Sequence, residues 1–210
     1  MSYASFDVAP QVNRWGVFVT SFKVFNPNLL ETPTADALCQ QAADDAGLNG
    51  TFTAWLSSRE FNAVDRITEG KYYRVDGERI ANSKEDLLDG HLANRIRVNE
   101  FGELMNEGFV YTGTRSTGNM WEGRTCNDWS GLSERNAGEY YGGVGNLMEI
   151  NEGWTESKTR TCDKAFDKGA HLYCFQVENS RLEVEITYPY NNQTLDEKDM
   201  IFSRSELSLM

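Results

Sequence analysis

Positive charge is scarce in this chain. Twenty Lys and Arg stand against 32 Asp and Glu over 210 residues, a formal net charge of −12. A nucleic-acid binder needs a dense Lys/Arg surface to displace counterions, so no nucleic-acid partner is expected. Anionic membranes and polyanionic glycans are disfavoured for the same reason. No apolar run approaches the length of a bilayer span, so no membrane insertion is expected. Residues 1–15 have neither a basic nor an apolar region and do not read as a signal peptide. Histidine is rarer still. His91 and His171 are far apart, outside any H-E-x-x-H or H-x-H pattern, and each reads as a surface or core-edge residue. No C-x-x-C pair is present, which sets aside zinc ribbons and thioredoxin-type redox sites. There is no P-loop, dinucleotide fingerprint or G-x-S-x-G elbow, and Gly142-Gly-Val-Gly145 is too short and in no strand–helix context. The chain reads as a non-enzyme, with a hydrolase as the remotest alternative.

What is present is a globular composition, 40% hydrophobic and 12% aromatic, enough to fill a core. Four cysteines, spaced widely, read as two structural disulfides, and four cysteines allow three pairings. That reading implies an oxidising compartment, secreted or cell-surface. Residues 1–14 read as a loose arm, 15–178 as the domain, and 179–210 as an extension forming a β-hairpin or an oligomerisation arm.

Within the domain, 15–22 is rich in β-branched and aromatic residues and predicts a strand. A helix follows, with Thr32 as cap, Pro33 in its first turn and Gly47 as its end. Ala35, Leu38, Cys39, Ala42 and Ala46 share its inner face, with Asp36, Gln40, Asp44 and Asp45 mainly outside. Phe52, Ala54 and Leu56 alternate along a strand at 51–58. Tyr72–Val75 and Arg79–Ala81 flank Asp76-Gly77 as a hairpin. Ser83-Lys-Glu-Asp86 resembles a capping box for a short second helix. Strands are expected at 109–114 and 171–177. The stretch 106–151, rich in Gly, Asn, Ser and Trp, reads as exposed loops. Asn49-Gly-Thr51 and Asn192-Gln-Thr194 are formal glycosylation sequons.

This order of elements resembles the C-type-lectin-like fold: strand, capped helix with a Cys, Ala54-Trp-Leu-Ser-Ser58, loops, Cys126, Trp154, Cys162, and a closing strand with Cys174-Phe175. Ala35-Asp-Ala-Leu-Cys39-Gln40, Gly47-Leu-Asn-Gly50 through Ser58, Ser83 through Gly90, and Tyr111-Thr-Gly113 are similar to endostatin. They are closer to a bacterial family of endostatin-related C-type-lectin-like domains of unknown function, in which Cys126-Asn-Asp-Trp129 and Leu172-Tyr-Cys-Phe175 recur. The resemblance covers about residues 15–178. It implies an α+β fold, two helices on antiparallel sheets with a long loop region. It also implies the pairs Cys39–Cys174 and Cys126–Cys162.

The Glu-Pro-Asn, Gln-Pro-Asp and Trp-Asn-Asp triplets of calcium-dependent sugar sites are absent, and all four prolines lie outside the loop region. Trp154-Thr155-Glu156 stands where Trp-Asn-Asp would. Endostatin's zinc and heparin sites do not carry over, because N-terminal histidines and an arginine-rich face are missing. A different calcium site is the rival to a solvated acidic face around Glu134, Glu139, Glu149, Asn151, Glu152 and Glu156, with Asn127 and Asp128 nearby; oxygen ligands suit that hard cation. Trp121, Tyr140 and Tyr141 are either stacking surfaces for a ligand or plugs of the loop core. The expected function is an extracellular adhesion or binding module presenting loops 106–160, through Trp121, Asp128, Tyr140, Tyr141, Glu149, Asn151 and Glu152, to a glycan or protein. The alternative is an assembly tip of an oligomeric, for instance trimeric, surface fibre.

Overall fold

The computed structural model describes residues 14–25, 28–30, 34–129, 140–162 and 168–178. The chain divides into Met1–Ser180 and Arg181–Met210, and everything described lies in the first unit. The expected arm before residue 14 and the extension 179–210 fall outside the described residues, as do Thr32, Pro33, Glu134 and Glu139.

The fold is α+β, with two sheets and short helices. Its centre is β1 (Arg14–Val19), which begins at Arg14, inside the expected arm. Val17, Phe18 and Val19 are all fully buried, because core lies on both faces of this strand. Beside it run β2 (Thr51–Ala54), β3 (Lys71–Arg74), β4 (Arg79–Ala81) and the closing β8 (Tyr173–Glu178), in the order β2-β8-β1-β3-β4. The pairs are antiparallel except β1 with β3, so the sheet is mixed rather than antiparallel as expected. That pair is parallel because β2 and the segment after it carry the chain across before β3 returns beside β1.

Alternation sorts the side chains onto two cores. Phe18, Phe52, Ala54 and Cys174 face one, with the first helix. Trp15, Val17, Tyr72, Tyr173 and Phe175 face the other, around Trp55 and Trp154. The Trp55 ring lies 5.2 Å from Trp154 and 5.3 Å from Phe175.

Helix α1 (Ala35–Asp45) buries Ala35, Cys39, Ala42 and Ala43. Its cap is Thr34, not Thr32: the Thr34 Oγ1 accepts from the Ala37 N–H at 3.2 Å. Asp36 and Gln40 do not simply face solvent. Asp36 accepts from the Ala54 N–H and the Thr53 hydroxyl, and Gln40 accepts from the Phe52 N–H, so both dock α1 on β2. Burial alone would raise the Asp36 carboxyl. The Arg66 guanidinium, hydrogen-bonded and ion-paired to it, together with the Ala54 and Thr53 donors, holds it below the ordinary carboxylate range. Helices α2 (Ala63–Arg66) and α3 (Lys84–Leu87) are single turns, the latter capped by Ser83 accepting from Asp86 N–H.

The second sheet is β5 (Phe109–Tyr111), β6 (Tyr141–Asn146) and β7 (Lys158–Thr161), with β6 in the middle. The run Gly142–Gly145, expected to be exposed loop, is a buried strand. Glycine is needed there because neighbours come too close for a side chain. A Cβ on Gly145 would stand 2.0 Å from the Trp154 carbonyl oxygen, and one on Gly142 would stand 2.8 Å from the Cys126 sulfur.

Both disulfides are formed, and they are the pairs that the resemblance implies. Cys39–Cys174 ties α1 to β8 across 135 positions, and Cys126–Cys162 spans 36. No cysteine is left free. No helix among the described residues is long and apolar enough to cross a membrane. Two buried bridges are consistent with an oxidising, extracellular compartment.

Candidate functional site

Next to the second bridge the backbone does something costly. Cys126, Asn127, Asp128 and Trp129 have φ of 49°, 57°, 59° and 55°, four successive L-residues in the left-handed region. Each such residue costs about 1–2 kcal/mol, and they normally occur singly. Strain of this kind persists only where surrounding contacts over-determine it.

Those contacts are specific. Cys126 is held by its bridge to Cys162 at the end of β7. Trp129 is fully buried, and its Nε1–H donates to the Ser57 carbonyl at 2.7 Å. Its ring meets Tyr111 edge-on at 5.8 Å and fills the space over Gly113, where a Cβ would come within 2.7 Å of it. Asp128 Oδ1 accepts from the Arg59 N–H at 2.8 Å, linking the turn to the segment after β2.

The turn forms one wall of an open groove of about 410 Å³. Arg59, Met120, Glu122, Thr125, Asn127, Tyr140 and Tyr141 line it. Tyr141 opens β6 and is 44% exposed, with the Arg124 guanidinium 5.2 Å from its ring centroid. Tyr140 is half-buried and packs on the α1 core. Among the described residues the groove therefore combines aromatic surface, a thioether, one cation and one carboxylate.

Of the residues expected to bind, Tyr140 and Tyr141 line this groove and Asp128 braces it. Trp121 is half-buried beside it: its ring covers Gly143, and the Arg115 guanidinium lies 5.4 Å from its centroid.

The acidic residues do not join the groove. Glu149 Oε1 accepts from Asn146 Nδ2–H and the Ser157 hydroxyl, and its other oxygen lies where a Gly153 Cβ would be. Asn151 caps the 3-10 turn Glu152–Trp154 by accepting from the Gly153 N–H. Glu152 packs over Gly90. Glu156 accepts from Arg115 Nη1 at 2.6 Å and from the Ser116 N–H. Each has local protein partners or packing of its own, and among the described residues no three His, Cys, Asp or Glu side chains converge as a metal site.

The sequence reading missed Arg59, Met120, Glu122 and Thr125. Nothing in their own neighbourhoods marks them. They meet through long-range contacts: Asp128 accepts from the Arg59 N–H, Asn62 accepts from the Met120 N–H, and Thr125 bridges to Gly142 of β6. Among known proteins, no family model and no curated sequence matches the chain. Fold and bridges together define a disulfide-bonded α+β domain carrying a strained, aromatic-edged groove.

Proposed function

We propose that this chain is a C-type-lectin-like binding module, working in an extracellular setting, whose Tyr140–Tyr141 groove takes a neutral glycan. The fold reading rests on the resemblance and is supported by the helix-to-closing-strand bridge with a second bridge nested inside it. The observation that carries the ligand reading is the groove itself. An exposed Tyr141 ring offers a stacking face for a sugar, and Arg59, Glu122 and Asn127 surround it with hydrogen-bonding groups. A strained turn held by a disulfide presents these groups on a pre-organised floor, which lowers the ordering cost of binding. The reading assigns no catalytic step and needs no metal.

The test is a glycan array with the oxidised protein, repeated with Tyr141→Ala, Tyr140→Ala and Trp121→Ala. Loss of the bound glycans is expected for Tyr141→Ala, weakening for Tyr140→Ala and the smallest change for Trp121→Ala. Undiminished binding by both tyrosine variants would remove this groove as the site. Binding only to protein partners would replace the glycan with a protein ligand. The assembly alternative turns on residues 179–210, outside the described residues, and light scattering with and without them decides it.

A further inference from the structure

A second groove, sharing no lining residue with the first, has the opposite character. It measures about 470 Å³ and lies against the Phe109–Asn146 end of the three-stranded sheet. Among the described residues, Lys23, Arg160 and Lys168 line it with one carboxylate, Glu107, a net of two positive charges. In a chain of net charge −12 this is an unusual concentration. None of these cations is ion-paired among the described residues.

Two further features show that the cations are gathered rather than scattered. Lys158 and Arg160, alternate residues of β7, reach across β6 to the same ring: the Lys158 Nζ and the Arg160 guanidinium carbon lie 4.0 Å and 3.9 Å from the Phe109 centroid. Two like charges held on one ring repel, and the ring's negative face offsets this only in part. Beneath them, a small cavity of about 10 Å³ shares Arg160 and Gly169 with the groove and is also lined by Tyr111. Tyr111 is 4% exposed, and its hydroxyl has no hydrogen-bond partner among the described residues. An unpartnered buried hydroxyl is costly, and Tyr111 and Arg160 line the same small cavity.

We propose that this groove binds a phosphoryl group, free or esterified to a small molecule. A phosphomonoester carries close to two negative charges at neutral pH, which matches the net charge of the lining. Arg160 supplies a planar pair of donors, while Lys23 and Lys168 supply point charges. The proposal does not depend on the Tyr141 groove.

Calorimetric titration of the oxidised protein with glucose 6-phosphate, inorganic phosphate, glucose 6-sulfate and glucose, at matched ionic strength, tests it. Glucose 6-phosphate should bind at least about tenfold more tightly than glucose 6-sulfate, and glucose should not bind here. Tighter binding of glucose 6-phosphate than of inorganic phosphate identifies an ester as the ligand; equal binding identifies free phosphate. Arg160→Gln and Lys168→Gln should each weaken binding about tenfold or more, with Arg160→Lys retaining part of it. Lys23 and Lys168 are exposed, so Lys23→Gln and Lys168→Gln test the charge without disturbing the core. Tyr141→Ala should leave phosphate affinity unchanged. Equal affinity for phosphate and sulfate esters, or unchanged affinity in both Lys168→Gln and Arg160→Gln, would overturn the proposal.

Discussion

The left-handed turn should draw its margin of stability from its bridge, and this can be tested by replacing Cys126 and Cys162 with Ser together. Four residues at about 1–2 kcal/mol each place its strain at about 4–8 kcal/mol. The bridge closes a span of 36 positions, worth about 4 kcal/mol in the chain-entropy model. Burying Trp129 contributes about 3–5 kcal/mol, and its indole hydrogen bond about 1 more. With the bridge the balance favours the turn; without it the two sides are about equal, and the turn should unwind for a substantial part of the time. The other core, around Trp55 and Trp154, should persist, because neither it nor the five-stranded sheet includes a residue of the turn.

Indole N–H exchange, read by NMR, reports this directly, since the chain has five tryptophans and Trp129 donates to Ser57. In the double variant the Trp129 N–H should exchange orders of magnitude faster. The Trp55 N–H, donating to the buried Thr155 hydroxyl, should stay protected. Urea unfolding should remain cooperative with up to about 4 kcal/mol lost. Removing Cys39 and Cys174 should cost more, about 5 kcal/mol from a span of 135 positions before any packing loss. A Trp129 N–H protected as in the parent would refute the reasoning, because the turn would then be stable without its bridge.

Other outcomes follow from single contacts. Gly145→Ala should destabilise by about 3 kcal/mol or more, since its Cβ meets backbone that cannot swing aside, whereas Gly47→Ala, with φ +68° and open space, should cost only about 1 kcal/mol; equal urea midpoints would contradict this. Asp36→Ala should cost about 1–3 kcal/mol by stranding the Ala54 N–H and Arg66, and a stability change near zero would show that α1 docks without them. Burial lowers the His171 pKa below its ordinary 6.5, partly opposed by the hydrogen bond to the Thr20 carbonyl, so the unfolded chain takes up the proton first. Stability should therefore fall as pH drops below about 6.5 toward the folded-state value. Asp36 has a lowered carboxylate pKa, so its contribution holds above about 3.8 and is lost as pH falls further. An NMR titration placing His171 at or above 6.5 would cancel the first of these two acid steps.

Much of the first sheet was legible because side-chain pattern and local chemistry agree there. The inner face of α1, the Asp76-Gly77 hairpin and the Ser83 cap announce themselves through periodicity, turn residues and capping, and the closing strand through its run of apolar and aromatic residues. The second sheet was not legible. Strand β6 is Tyr-Gly-Gly-Val-Gly-Asn, and a strand built of glycines has no alternation to read. Its strand state is imposed by Trp154, Trp121 and Cys126 closing around it, contacts made by residues distant in sequence.

The sequence by itself determined the two bridges in an oxidising setting and the excess of acidic charge, because these depend on composition and spacing, while the α+β class came from the resemblance that the order of elements carries. Tertiary structure alone decided the left-handed turn, the partners of the acidic side chains, and the two grooves. Glu156 is answered by Arg115 and Asp128 by the Arg59 amide, while Lys158 and Arg160 converge on a ring two strands away. A one-dimensional pattern shows which charges are present. Only the closed chain shows which of them neutralise one another and which are left facing a groove.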